Sequence, residues 1–175
     1  MKKVLISMAA LAAMSSAAMA QSASQDINLS ANVGKFCTIG GSATPTAIAK
    51  TISTTSTGGV VTTPIPVSIG AVVCNTASNV QLKSTNGALI GGPSASGFVN
   101  YINYSATATI GSVAASVNAN STTGTSVPIA PTASPTGGAT SDASVTVTIT
   151  PVTNPLPLTA HNLYADILTV VVSPL

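Results

Sequence analysis

Ile27-Asn28-Leu29-Ser30-Ala31-Asn32-Val33 and Ala143-Ser144-Val145-Thr146-Val147-Thr148-Ile149-Thr150 share one pattern: an apolar side chain at every second position, with Asn, Ser or Thr between. Successive side chains of an extended backbone point to opposite faces, so this spacing predicts strands that each bury one face. Val67, Ile69, Ala71 and Val73 alternate in the same way up to Cys74, as do Val80 and Leu82 around Gln81 and Lys83. A last run, Tyr164 to Val172, sets Leu168, Val170 and Val172 on one face. No stretch after the first twenty residues holds a 3.6-residue apolar period for ten residues, and β-branched residues dominate the apolar runs, so the chain reads as all-β, a sandwich or barrel.

Gly and Pro punctuate these runs. Gly40 to Thr63, rich in Ser, Thr and Gly, reads as a long loop or a short edge strand. Pro66 sits at a strand entrance, where its missing N–H is tolerated. Asn86-Gly87 has hairpin-turn chemistry, because both residues accept positive φ. Phe98 to Ile110 reads as a strand or strand pair, Val127 to Ala130 as a short strand, and Pro151, Pro155 and Pro157 as a turning connection.

The leader sets the compartment. Lys2 and Lys3 precede an apolar run, Val4 to Met14, and Ala18-Met19-Ala20 supplies a small-residue cleavage site. This predicts a secretory signal peptide over residues 1–20 and an exported chain beginning near Gln21. Past the leader the charged side chains are Lys35, Lys50 and Lys83 against Asp26, Asp142 and Asp166, which balance to zero. Three scattered lysines make no basic stripe, so nucleic acid is excluded as a partner. The Val, Ile and Leu content of the short runs argues for a folded core rather than disorder. Cys37 and Cys74, the two cysteines, read in an exported chain as one disulfide.

The sequence is poor in catalytic groups. One histidine, His161, and three aspartates are available, whereas acid/base chemistry needs paired carboxylates or a carboxylate beside an imidazole. His161 and Asp166 lie near each other in sequence but belong to a connection and a strand start, where a solvated histidine is the plainer reading. No Gly-x-Ser-x-Gly occurs. Clustered metal ligands are lacking too. The expectation is a non-enzymatic protein with no metal and no cofactor.

Four stretches together carry a family resemblance: Asp26 to Val33 leading into Cys37-Thr38-Ile39-Gly40-Gly41; Ile69 to Asn75 with Cys74; Val80 to Gly87; and Tyr164-Ala165-Asp166-Ile167-Leu168-Thr169-Val170-Val171-Val172. In this order they resemble the secreted pilins of the archaic chaperone-usher pathway, which share their domain with spore coat protein U. Two departures stand out: His161, Asn162 and Leu163 occupy a stretch where that family has a glycine, and the chain ends Ser173-Pro174-Leu175 rather than in aromatic residues.

The resemblance implies an immunoglobulin-like β-sandwich that lacks its final strand and is completed by the N-terminal extension of a neighbouring subunit. Residues 21–35 would be that extension and residues 36–175 the domain. Ile27, Leu29, Ala31 and Val33 would be the donor side chains, and Leu168, Val170 and Val172 an edge of the recipient groove. The implied partners are identical subunits in a head-to-tail filament, a periplasmic chaperone and an outer-membrane usher. The implied place is the bacterial surface, in a fibre that supports adhesion or biofilm formation. The residues alone leave a second reading open, in which 27–33 is an ordinary first strand of a self-complete surface module, coat-like or carbohydrate-binding.

Overall fold

A computed structural model describes residues 29–42, 47–130, 134–135, 140–161 and 163–175. The predicted leader and Ile27 lie outside the described residues. The chain divides into two units, Met1–Val33 and Gly34–Leu175. Every element of regular structure among the described residues is a β-strand, and every strand pairing is antiparallel.

Ten strands follow in chain order: β1 Cys37–Ile39, β2 Ile65–Cys74, β3 Ser78–Ser84, β4 Leu89–Ile90, β5 Tyr101–Ile102, β6 Tyr104–Ile110, β7 Val113–Ala119, β8 Ser134–Pro135, β9 Thr140–Pro151 and β10 Leu168–Pro174. One sheet has the order β1-β2-β9-β6-β7, a second β10-β3-β8, and a third pairs β4 with β5. Leu82 of β3 packs among Val67, Tyr104, Ala106, Ala108, Val117 and Val147 of the five-stranded sheet. Val80 packs among Val72, Cys74, Ile110, Ala115 and Val145. The two larger sheets therefore share a core, which is consistent with a β-sandwich. A separate cluster of Val60, Ala88, Val99, Tyr101, Ile102 and Leu158 lies around β4 and β5.

β9 is the middle of the large sheet because its pattern suits two neighbours. It pairs with β2 on one side and with β6 on the other, and its inward Val145 and Val147 are 0% and 3% exposed. Thr146 and Thr148 take the other face, so a one-residue slip would bury hydroxyls in place of methyls.

In β2 the sequence pattern is followed only halfway. Val67 is buried, but farther along Val72 and Cys74 are the buried residues, and Ala71 and Val73 are only partly covered. The cause is a bulge: Ser68 pairs with Thr146 and Gly70 with Val145, so Ile69 is one residue extra and the facing inverts. Gly70 permits this with a φ of 95° and a backbone lying against Gly40.

Three other expectations are corrected. Gly87 does adopt positive φ, but the chain there forms no hairpin. β3 pairs with β10 and β8, and β4 pairs with β5. The turn is tucked beneath Val127, whose carbonyl occupies the space a Gly87 side chain would need. Val127 to Ala130 contributes a single bridge, Ile129 to Ser84, and Pro128 within it has no N–H to extend a ladder. The final strand starts at Leu168, not at Tyr164. Gly40 to Thr63 contains a bridged turn, Thr54 to Val60, among its described residues.

Candidate functional site

The two larger sheets leave one flank of the domain bounded by β1 and β10, the terminal strands of their sheets. β1 is short: it pairs with Val72, Val73 and Cys74 of β2, and its Ile39 bridges to Ser42. The disulfide Cys37–Cys74 joins directly opposed residues of this pair, with Cα atoms 4.2 Å apart. Beyond β1, the first half of β2 has a strand neighbour, among the described residues, only in β9.

β10 pairs with β3 from Leu168 opposite Ser84 to Pro174 opposite Ser78. Its ends are fastened: Thr85 N–H donates to Ile167 O at 3.0 Å and Leu175 N–H donates to Ala77 O at 2.8 Å. At the same end Lys35 Nζ donates to Leu175 O at 2.6 Å. The outer edge of β10 has no strand partner among the described residues, and a bare edge is a template for a further strand. Leu168, Val170 and Val172 are partly buried, the first two against the cluster around Leu82 and the third against that around Val80.

On the opposite bank, Ile65 and Ile69 of β2 pack against the same cluster as Leu168 and Val170 and are likewise only partly covered. These four aliphatic side chains are partly covered and flank one buried cluster beside the open edge of β10. Ile65 and Ile69 were not legible as members of this flank, because no spacing rule tells which strand will face β10 across a core. The flank can remove apolar side chains from water and, along β10, pair backbone with a guest strand.

The start of β10 is set by Asp166. Its Oδ2 accepts from Ser84 Oγ at 2.5 Å and from Tyr104 Oη at 2.6 Å. Its Oδ1 accepts from the N–H of Asn86 at 2.8 Å and of Ile167 at 2.7 Å. One carboxylate thus ties the turn after β3, the buried ring on β6 and the entry to β10. Burial first, and the hydrogen bond to Asp166 second, push the Tyr104 phenol far above its usual range. The sequence set Asp166 near His161 and within the Tyr164–Val172 stretch of the resemblance, without naming its hydrogen-bond partners. In the fold the two share no hydrogen bond: His161 Nδ1 is bonded to the backbone of Leu163. No group of three metal-ligating side chains occurs among the described residues.

Leu29, Ala31 and Val33, the described members of the expected donor set, lie in no strand. Leu29 is 91% exposed and Val33 75% exposed. Comparison with family models, curated proteins and solved structures finds no match to this chain.

Proposed function

We propose that this chain is a structural subunit of an extracellular fibre, a pilin of the archaic chaperone-usher type, whose immunoglobulin-like domain accepts the N-terminal strand of a neighbouring copy. The observation that carries this reading is a mismatch within one polypeptide. Ile65, Ile69, Leu168 and Val170 flank the core beside the open edge of β10 and are only partly covered, while an arm of strand-type sequence holds Leu29 and Val33 out in solvent. Supporting it is the resemblance of residues 26–41, 69–75, 80–87 and 164–172 to that family.

In this reading Ile27, Leu29, Ala31 and Val33 enter the groove of the next subunit and the arm pairs with the edge of β10. Burial of Ile27, Leu29 and Val33, with a smaller share from Ala31, contributes about 5 to 10 kcal/mol before ordering costs. Asn28, Ser30 and Asn32 face outward, which fixes the register. Head-to-tail addition does not close on itself, so it yields a filament. A periplasmic chaperone covers the groove until an outer-membrane usher directs exchange, and the protein performs no catalysis.

Deleting residues 21–33 tests the proposal. The shortened domain should still co-purify with its chaperone, electron micrographs of the secreted material should contain no fibres, and a synthetic peptide of residues 25–34 should bind the shortened domain. Fibres of normal length from the deletion variant would overturn it.

A further inference from the structure

A cleft separate from the β10 groove opens at the cluster around β4 and β5. It has a volume of about 670 Å³ and is lined by the 54–58 turn, by Ala95 and Phe98, and by Leu158, Thr159, Ala160, His161 and Tyr164. The turn is fixed: Thr54 bridges to Val60, and Gly58 N–H donates to Thr55 O at 3.1 Å. Gly58 O accepts from Leu158 N–H at 2.9 Å, which ties the turn to the opposite wall.

The two rings of that wall are also held. Tyr164 Oη donates to Thr159 O at 2.5 Å, and the imidazole of His161 meets the Tyr164 ring edge-on with centroids 6.1 Å apart. Gly91 and Gly92 make this possible, since the Tyr164 and His161 rings fill the space their side chains would need. Phe98, by contrast, is 46% exposed at the rim. An aromatic ring left half in water beside a walled cleft offers a stacking face.

The lining chemistry narrows the occupant. Among the described residues no Lys, Arg, Asp or Glu lines the cleft, and its one imidazole, His161, is bonded to the backbone of Leu163, so an ionic ligand would lose hydration with little counter-charge to replace it. A purely apolar ligand would strip water from the hydroxyls of Thr55 and Thr57, which lie 3.1 Å apart. Hydroxyls donate and accept: Thr55 Oγ1 donates to Gly59 O, so Thr57 donates to Thr55 and keeps its acceptor capacity. A pyranose matches this mixture: an apolar ring face for Phe98 and a rim of neutral hydroxyls for the threonines.

We propose that this cleft binds a neutral saccharide, stacked on Phe98 and hydrogen-bonded by the hydroxyl turn around Thr55 and Thr57. Such a site repeated along an assembly would multiply a weak contact into a firm one. The proposal stands on the cleft alone and does not require donor-strand exchange.

The test is an NMR titration of the full exported chain with neutral oligosaccharides of glucose, galactose and N-acetylglucosamine, with sialylated oligosaccharides and a neutral peptide as competitors. At least one neutral sugar should bind saturably, with shifts confined to residues 54–58, 95–98 and 158–164. Phe98→Ala should weaken that binding about three- to tenfold, and Thr57→Val should weaken it while leaving the fold intact. Val127→Ser, at an exposed residue outside the cleft, should leave it unchanged. Absence of saturable binding by every neutral sugar, equal binding by Phe98→Ala, or preference for the sialylated sugar or the peptide would overturn the proposal.

Discussion

Residues 29–33 and 143–150 are written in the same alphabet and end in opposite surroundings. Both alternate apolar with Asn, Ser or Thr. Yet Val145 is fully buried between two strands, while Leu29 and Val33 stand in solvent. Alternation specifies that a strand has one face to bury, but it does not specify what will cover it. β9 finds its neighbours within the chain because β2 and β6 supply matching ladders on both sides. The leading arm has the same requirement, which is why a second copy of the chain is the occupant we assign to the groove.

Substitutions should separate the two stretches by the size of their effect on the domain itself. The largest is expected from Val145→Asp, which places a charge between the sheets without a partner. Its cost should be at least about 4 kcal/mol, read as loss of the cooperative unfolding transition by circular dichroism. Replacing both cysteines with serine comes next. The bridge closes a loop with a sequence separation of 37, and its loss should lower stability by about 3 to 4 kcal/mol in denaturant titrations. A smaller effect would mean that the short β1–β2 ladder already constrains the unfolded chain.

Asp166→Asn follows, at about 1 to 2 kcal/mol, since the partly exposed carboxylate holds four donors. Hydrogen exchange should localise the loosening to the start of β10. Alkaline pH probes the same knot through Tyr104. Its folded-state value is raised above the ordinary 10.0, so the unfolded chain releases the proton first. The contribution is therefore complete below pH 10 and is lost as pH rises above it. Denaturation midpoints should hold up to pH 10 and then fall, and the fall should shrink in Tyr104→Phe. The smallest effect belongs to the arm: Leu29→Asp with Val33→Asp should shift domain stability by less than about 0.5 kcal/mol, while abolishing fibres in micrographs. Equal destabilisation by the arm and β9 variants would break the comparison.

Much of the strand content was legible because burial on one face leaves a period-two trace. β9, β3 and the aliphatic face of β10 all carry it. β7 was not read as a strand, since Val113 and Val117 are its only large apolar side chains and the rest is Ala, Ser and Asn. It forms by pairing with β6 across a tight turn at Gly111 and Ser112. The inversion within β2 was equally hidden: a bulge depends on where two ladders fall out of step, and Gly70 merely allows it. The open flank shared this fate. Leu168, Val170 and Val172 share one face of one run and were given a groove role by the family resemblance, whereas Ile65 and Ile69 joined the cluster of Leu168 and Val170 only when two sheets packed together.

The sequence by itself determined the strand-forming periodicity, the low charge that leaves no basic stripe for nucleic acid, and an even pair of cysteines able to bridge. These are properties of neighbouring residues and of composition, readable without any contact. Only the tertiary structure decided which strands lie side by side, that Asp166 anchors the start of β10, and that β10 ends its sheet beside partly covered aliphatic side chains. Such outcomes depend on which backbone ladders and apolar faces meet across long sequence separations, and period two is the same for every candidate partner.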